Sequence, residues 1–301
     1  MPEKLIVFGN ACVDFTYHLA ALPRPGETVN AKQVTRDLGG KGLNQAIAAR
    51  RAGAELRFIA PVGRDPAADA IRRALTTEGV PIGDLIVRDG MSDSSVIMLD
   101  RAGENAIVSD TRQAGALMPD EATSRLGLGQ GSTLLLQGNL SAATTAAAIA
   151  RANAAGARVV LNAAPFNAWL RDVPGRIDVI IVNAFEAAQW TGAAALRDAV
   201  SAINASLAVV TLGRAGCLVR SYGREAIAID APSVRVVDTT GAGDVFTGTF
   251  VAQWLTSADS LEAAGLAVHA ASDMVTRAGA LSALPTRETL ARLRAELGIT
   301  R

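Results

Sequence analysis

The densest group of chemically capable residues runs from Val236 to Gly248, Val-Val-Asp-Thr-Thr-Gly-Ala-Gly-Asp-Val-Phe-Thr-Gly. β-Branched residues open it and an apolar pattern follows, which predicts a short strand passing into an amphipathic helix. Gly241, Ala242 and Gly243 at a helix start would leave backbone N–H groups free, and the helix dipole there favours negative charge. A phosphate suits such a place. Asp244 beside an anion hole must then bind a metal or take a proton from a hydroxyl nucleophile. An acidic residue in the first helical turn after a Gly-rich turn is the structural alternative, and these residues alone leave both readings standing.

A second Gly-rich element, Leu38-Gly39-Gly40-Lys41-Gly42-Leu43-Asn44-Gln45-Ala46, also precedes a helical pattern. Its glycines let a ligand approach the backbone, while Lys41 and Asn44 offer donors to hydroxyls or phosphate. It lacks the spacing of a P-loop, and a tight turn with a solvated Lys reads equally well. Asp14 follows the first apolar run, at the strand end where open α/β sheets place ligand contacts; a turn-forming Asp is the alternative. Asn183 and Glu186 flank another strand end, as a capping box or as a contact to metal or phosphate. Thr211-Leu212-Gly213 with Gly216 closes a further strand, as a structural turn or a nucleotide contact.

The elements that must position these residues follow from the rest of the chain. Its 301 residues carry 29 basic and 29 acidic side chains, 50% apolar residues and two cysteines, Cys12 and Cys217. That balance gives no field to collect nucleic acid or a lipid surface, and the apolar content is too high for a disordered chain. Two thiols form neither a disulfide framework nor a zinc site. No signal-like segment opens the sequence, which points to the cytoplasm. No apolar run reaches the roughly 20 residues of a membrane span. Short β-branched runs alternate with Ala-rich helical stretches: Leu5 to Phe8, Leu43 to Arg51, Leu56 to Ile59, Asp65 to Glu78. Thr133 to Leu136, Arg158 to Leu161, Val179 to Val182 and Ala208 to Leu212 read as strands buried on both faces. This predicts βαβ units around a mostly parallel sheet flanked by helices, in one α/β domain over 1–301. Two regions, about 13–36 and 95–109, break the rhythm. The second reads as a hairpin around a loop containing Gly103, and both are expected to form a small second sheet, a lid over a cleft or a dimer surface.

Taken together, these elements resemble the ribokinase, or PfkB, family of carbohydrate kinases. The likeness runs in order through Asp14, Pro25-Gly26-Glu27-Thr28, Gly39 to Ala46, Val62-Gly63-Arg64-Asp65, Asn183 to Glu186, Thr211 to Gly216 and Asp238 to Asp244. The resemblance implies a ribokinase-like fold and transfer of the ATP γ-phosphoryl group to a sugar hydroxyl. Asp244 would be the base, with Gly241, Ala242 and Gly243 as the anion hole. Asp14, Gly39, Gly40, Lys41 and Asn44 match sugar-holding positions. Asn183 and Glu186 match the element linked to Mg²⁺ and phosphate, Glu186 through water. Thr211, Gly213 and Gly216 match the nucleotide side, and His269 lies near the expected adenine pocket or is simply a helical His. Asp238 and the Thr240 carbonyl match a monovalent-cation site, for K⁺, completed by carbonyls near Arg277 and Gly279. The family's late Ser aligns with Ala283, next to Ser282.

Two positions depart from the pattern of bacterial ribokinases. Cys12 stands where they usually carry Asn, and Asn139 where they have a sugar-contacting Glu. An amide both donates and accepts, so it suits a different hydroxyl pattern. Ribose, deoxyribose or a related sugar is the expected substrate. A nucleoside kinase is the sibling reading, with Phe15 and Tyr17 as a base pocket. A dinucleotide oxidoreductase lacks support, because Gly9-Asn10-Ala11-Cys12 is no G-x-G-x-x-G. A catalytically silent sugar-binding regulator is the remaining alternative.

Overall fold

The computed structural model describes residues 5–101 and 104–299; Gly103 lies outside them. Strands are β1 (Leu5–Phe8), β2 (Cys12–His18), β3 (Gln33–Gly39), β4 (Leu56–Val62), β5 (Leu85–Val87), β6 (Asp93–Leu99), β7 (Asn105–Asp110), β8 (Thr133–Gln137), β9 (Arg158–Asn162), β10 (Val179–Asn183), β11 (Leu207–Thr211), β12 (Cys217–Ser221) and β13 (Ile227–Ile229). Helices are α1 (Lys41–Arg51), α2 (Pro66–Thr77), α3 (Arg112–Gly115), α4 (Pro119–Thr123), α5 (Ala142–Ala154), α6 (Ala184–Thr191), α7 (Leu196–Ala202), α8 (Ala242–Ser257), α9 (Ser260–Met274) and α10 (Arg287–Glu296).

Among the described residues, nine strands form one sheet in the order β13-β12-β11-β10-β9-β8-β1-β4-β5. Pairing is parallel from β11 through β5, and β12 and β13 add antiparallel at one edge. The mostly parallel sheet agrees with the alternation in the sequence. Its antiparallel edge comes from the turn after Thr211, where Gly213 and Gly216 take positive φ (58° and 91°) and reverse the chain. Leu5, Val7, Leu135, Val160, Ile181 and Val209 pack on one face with α1, α2, α8, α9 and α10. Ile6, Phe8, Leu134, Leu136, Leu161 and Val182 pack on the other with α5, α6 and α7. Apolar residues at consecutive positions are therefore what a sheet covered on both sides requires.

The chain leaves β1 toward β4 on one side and returns through β8 on the other. That reversal opens a crevice at the C-terminal strand ends, the usual ligand place in such sheets. Between β1 and α1 the chain inserts β2 and β3, which join β6 and β7 in a separate four-stranded sheet, β3-β2-β6-β7. Here β2 and β6 run parallel and the outer pairs antiparallel.

Two local expectations are corrected. Val236 and Val237 form no strand and are 48% and 57% exposed; the Val237 N–H donates instead to the Val275 carbonyl at the end of α9 (2.7 Å). Nor is α8 amphipathic. Every residue from Asp244 to Gln253 is buried, because α8 lies between α1 and α9 and needs no polar face.

Candidate active site

Asp244 owes its position to a close helix contact. A Cβ on Gly248 would come within 2.4 Å of the Gln45 carbonyl and 2.8 Å of Ala48 Cβ, so glycine lets α8 lie directly against α1. One turn back from this contact, Asp244 meets Asn44 and Gln45 of α1. Asn44 Nδ2 donates to Asp244 Oδ2 (3.1 Å), and Gln45 Nε2 to Oδ1 (2.9 Å). The carboxylate is 5% exposed, with the Lys41 ammonium 4.0 Å from Oδ1. Two neutral amides thus satisfy a buried charge at hydrogen-bond range, and a cation stands just beyond it.

The start of α1 is built on the end of β1. Gly42 N–H donates to Asn10 Oδ1 (3.3 Å) and Leu43 N–H to the Asn10 carbonyl (3.0 Å). Gly40 takes φ 97°, and a Cβ there would meet Ala11 Cα at 2.8 Å. A Cβ on Gly39 would meet Asp14 Oδ2 at 1.9 Å, so the two glycines leave room for the Asp14 carboxyl. Burial pushes the Asp14 carboxyl above its ordinary range; hydrogen bonds from the Cys12 thiol and Ser95 oppose this, while Asp37 and Asp244 add to it. Cys12 Sγ donates to Asp14 Oδ1 (3.3 Å), and burial first, then Asp14, raises the thiol far above its ordinary value.

A cleft of about 220 Å³ lies over α8's first turn, lined by Lys41, Asn162, Asn183, Glu186, Thr211, Thr239, Gly241, Gly243, Asp244 and Thr247 among others. Gly241, at φ 80°, opens the helix. Ala242 departs from the expectation of a free donor, since its N–H turns back to the Thr239 carbonyl over a long 3.2 Å. Asn183 and Glu186 form the capping box outright. Asn183 Oδ1 accepts from the Glu186 N–H and Glu186 Oε2 from the Asn183 N–H, both at 2.8 Å. The same Glu186 faces the cleft, where burial raises its carboxyl, Asn183 and Lys41 lower it, and Asp244 raises it further. Thr211 lies beside Asn183 in register across β10 and β11.

Other expected residues are not brought to this cleft. Gly213 and Gly216 shape the turn behind Thr211, where a Cβ on Gly216 would meet the Ile229 carbonyl at 1.9 Å. His269 turns Nδ1 to the Gly265 carbonyl of its own helix (2.9 Å), the bond of an ordinary helical His. Asn139 follows β8, and its Oδ1 is buried with no hydrogen-bond partner. No motif in the sequence marks Gln137 and Asn162, or gives Gln45 a role, yet all three are buried behind Asp244 and bonded together. The available signal was an amide closing each apolar strand, as in Leu134-Leu135-Leu136-Gln137 and Val159-Val160-Leu161-Asn162.

Asp238 joins the loop before α8 to the loop after α9. Its Oδ1 accepts from the Thr240 N–H (2.8 Å) and its Oδ2 from the Gly279 N–H (3.0 Å). Each oxygen keeps a lone pair, and the donor set of one carboxylate among backbone groups fits a monovalent cation. Arg277 can add only its backbone, because a guanidinium offers donors and no lone pair; the side chain binds Asp273 (2.5 Å) and the Ala283 carbonyl (2.9 Å). Ser282, next to Ala283, donates its Oγ to Asp37 Oδ2 on β3 (2.9 Å). Among the described residues no group of three or more His, Cys, Asp or Glu could hold a metal. A half-buried Glu186 across the cleft from Asp244 instead fits Mg²⁺, which keeps most of its waters and shares substrate phosphates.

The sequence model of the pfkB family carbohydrate kinases matches residues 2–287. The chain is 31% identical to a ribokinase of Haemophilus influenzae over 301 residues, covering 96% of this chain and 97% of the relative. It is 29% identical to a deoxyribokinase of Salmonella typhi, covering 94% and 96%. The Arabidopsis thaliana ribokinase structure complexed with ribose and ATP superposes with a TM-score of 0.85 at 27% identity, over 97% of this chain and 99% of that one. A match of this extent shows the class: the chain belongs to the pfkB family of carbohydrate kinases. Within it, the nine-stranded sheet and separate four-stranded sheet are those of a ribokinase fold, and the protein is an ATP-dependent sugar kinase.

Proposed function

We propose that the chain phosphorylates a hydroxyl of ribose, deoxyribose or a related sugar, with Asp244 as general base. The observation that carries this reading is Asp244 itself, a buried carboxylate aimed by two amides at the mouth of a small-residue helix start. Asp244 accepts the hydroxyl proton as the sugar oxygen attacks the γ-phosphorus. The N–H groups from Gly241 to Gly243 face the migrating phosphoryl group, with Ala242 exchanging its long bond to Thr239 for the anion. Asp14, Gly39, Gly40, Lys41 and Asn44 hold the sugar, and Asn139 selects among sugars. Thr211, Gly213, Gly216 and His269 form the nucleotide side. Mg²⁺, when bound, would supply charge neutralisation on the phosphates; Glu186 would hold it through water, beside Asn183 on the ATP side. Asp238, with backbone of Thr240, Arg277 and Gly279, holds K⁺ and orders the anion-hole loop.

The four-stranded sheet is a lid and a dimer surface. Strand register puts Phe15, Tyr17, Val34, Val96 and Val108 on one face, with Tyr17 36%, Val34 50% and Val108 65% exposed. An exposed face of this kind, apolar except for Arg36 over the Phe15 ring, suits a second copy of the chain. Asp14, one residue from Phe15, points the opposite way. Phe15 and Tyr17 therefore turn from the Asp14 side of the sheet, which favours the sugar reading over a nucleoside-base pocket. Buried free thiols at Cys12 and Cys217 and the use of ATP suit the cytoplasm, and no described helix is long and apolar enough to cross a membrane.

Replacing Asp244 tests the reading. Asp244→Asn is expected to lower turnover by about 10²- to 10⁴-fold, the range of a lost general base, while calorimetric affinities for sugar and ATP stay near wild type. Turnover within a few-fold of wild type removes Asp244 from the role.

A further inference from the structure

Behind Asp244, three buried amides from three elements form one hydrogen-bonded chain. Gln137 Nε2 donates to Gln45 Oε1 (2.9 Å), Gln45 Nε2 donates to both Asp244 Oδ1 and Asn162 Oδ1 (2.9 Å each), and Asn162 Nδ2 donates to the Ile181 carbonyl (3.0 Å). Gln45 and Gln137 are fully buried and Asn162 is 6% exposed. Register places Gln137 opposite Asn162 at the last positions of β8 and β9, beneath α1 and α8.

An amide can be reversed without changing its outline, so its direction must follow from its partners. Here the partners leave one solution. The Ile181 carbonyl only accepts, so Asn162 gives it Nδ2 and presents Oδ1 to Gln45. Gln45 must answer with Nε2, whose second N–H meets Asp244, itself only an acceptor when ionised. Gln45 Oε1 then faces Gln137, which answers with Nε2. Each amide direction is thus fixed by the backbone of β10, and all the functional polar atoms of Gln45 are used. Asn44, the other donor to Asp244, is less constrained: its Oδ1 is buried without a partner.

We propose that Gln45 is the positioning residue of the phosphoryl transfer, locking Asp244 Oδ1 so that Oδ2 is the oxygen presented to the sugar. The proposal rests on the reading of Asp244 as base. In the step, the hydroxyl proton passes to Asp244 Oδ2, the sugar oxygen bonds to the γ-phosphorus, and the bond to the β,γ-bridging oxygen breaks, its electron pair leaving with ADP. Gln45 touches no reacting atom. It prevents rotation of the carboxylate plane and supplies a neutral donor where a cation would make a tight ion pair. A strand-end amide and a helix amide thereby turn a sheet-to-helix packing contact into an aimed base.

The test is a double-variant cycle on the full chain. Gln45→Met keeps side-chain length and removes the amide. It should lower kcat about 10- to 100-fold while KM for sugar and ATP stays within about threefold, as expected of misalignment in a bound complex. In the Asp244→Asn background the same change should cost less than about twofold, because nothing is left to aim. An equal loss in both backgrounds shows that Gln45 acts independently of Asp244 and overturns the proposal, as does a rise in KM with kcat unchanged. Near-normal turnover of Asp244→Asn alone would instead sink the base assignment, a separate result. If Gln45→Met does not fold, Gln137→Met decides: releasing Gln45 Oε1 should lower kcat about 3- to 10-fold without moving KM, and an unchanged kcat overturns the proposal.

Discussion

Asp238 and Asp244 stand at the two ends of one Gly-rich turn, and the molecule treats them in opposite ways. Asp244 sits on a packed helix, 5% exposed, with both oxygens held by side-chain amides from α1. Asp238 sits half-buried in a loop, with both oxygens held by backbone N–H groups at 2.8 and 3.0 Å. The first carboxylate is placed by its surroundings. The second places them, gathering the segments before α8 and after α9 around itself. Asp37 of β3 does the same for the second loop, accepting from the N–H groups of Ala280 and Ser282 (3.2 and 3.3 Å). A reacting group needs a direction fixed by rigid packing, whereas a loop organiser needs only charge and reach.

The contrast breaks most severely if the packing beneath Asp244 is disturbed from a distance. Gly248→Ala puts a methyl 2.4 Å from the Gln45 carbonyl. Overpacking of this kind costs about 1–3 kcal/mol, and a shift of about 1 Å in the base proposed here should lower turnover on the order of 10²-fold. Urea unfolding together with kcat checks both; an unchanged kcat in a destabilised variant separates packing from aim. A smaller effect is expected at Asp238. Asp238→Asn keeps one acceptor for the loop, so the K⁺ concentration giving half-maximal activity should rise several-fold, with kcat at saturating K⁺ within about threefold of wild type, as for a group outside the reacting set. A K⁺ titration of initial rate measures it.

The smallest effect belongs to a carboxylate of the four-stranded sheet, opposite Cys12 in register. Asp93 of β6 is buried and accepts from the N–H groups of Gln113 (2.7 Å) and Ala114 (3.1 Å). Burial pushes its carboxyl up to about 6, against 3.8 ordinarily, with those N–H bonds only partly opposing it. A folded state that holds the proton more tightly is favoured at low pH. The stability from this group is fully present below about 3.8 and is lost as pH rises through about 6. Asp93→Asn, always neutral, should remove that slope. The difference in urea midpoint between wild type and variant, followed from pH 4 to 7, isolates it from Asp14 and Glu186, whose carboxyls are raised in the same direction.

Much of the site was legible because it is local. Gly39 to Asn44 and Gly241 to Asp244 are continuous stretches whose small residues and polar groups state their geometry in the sequence. The parallel sheet was equally plain from unbroken apolar strands. What the sequence hid depends on which surfaces meet. The amides Gln45, Gln137 and Asn162 come from three elements and acquire a role only when α1 and α8 close over β8 and β9. Val236 and Val237 look like a strand but find no sheet neighbour, and α8 has no polar face because both its flanks are covered. For Asn139 and His269, the sequence pattern does not say where the side chain turns. The Asn139 Oδ1 is buried without a partner, and His269 Nδ1 turns to the Gly265 carbonyl of its own helix.

Sugar-dependent phosphoryl transfer is read out by ADP release from the wild-type chain with MgATP and K⁺, across ribose, deoxyribose, hexoses and nucleosides. Sugar kinase activity predicts release that depends on added sugar and is fastest with ribose, deoxyribose or a close relative, with nucleosides near the sugar-free rate. ADP release that no sugar increases, or that only nucleosides increase, contradicts it.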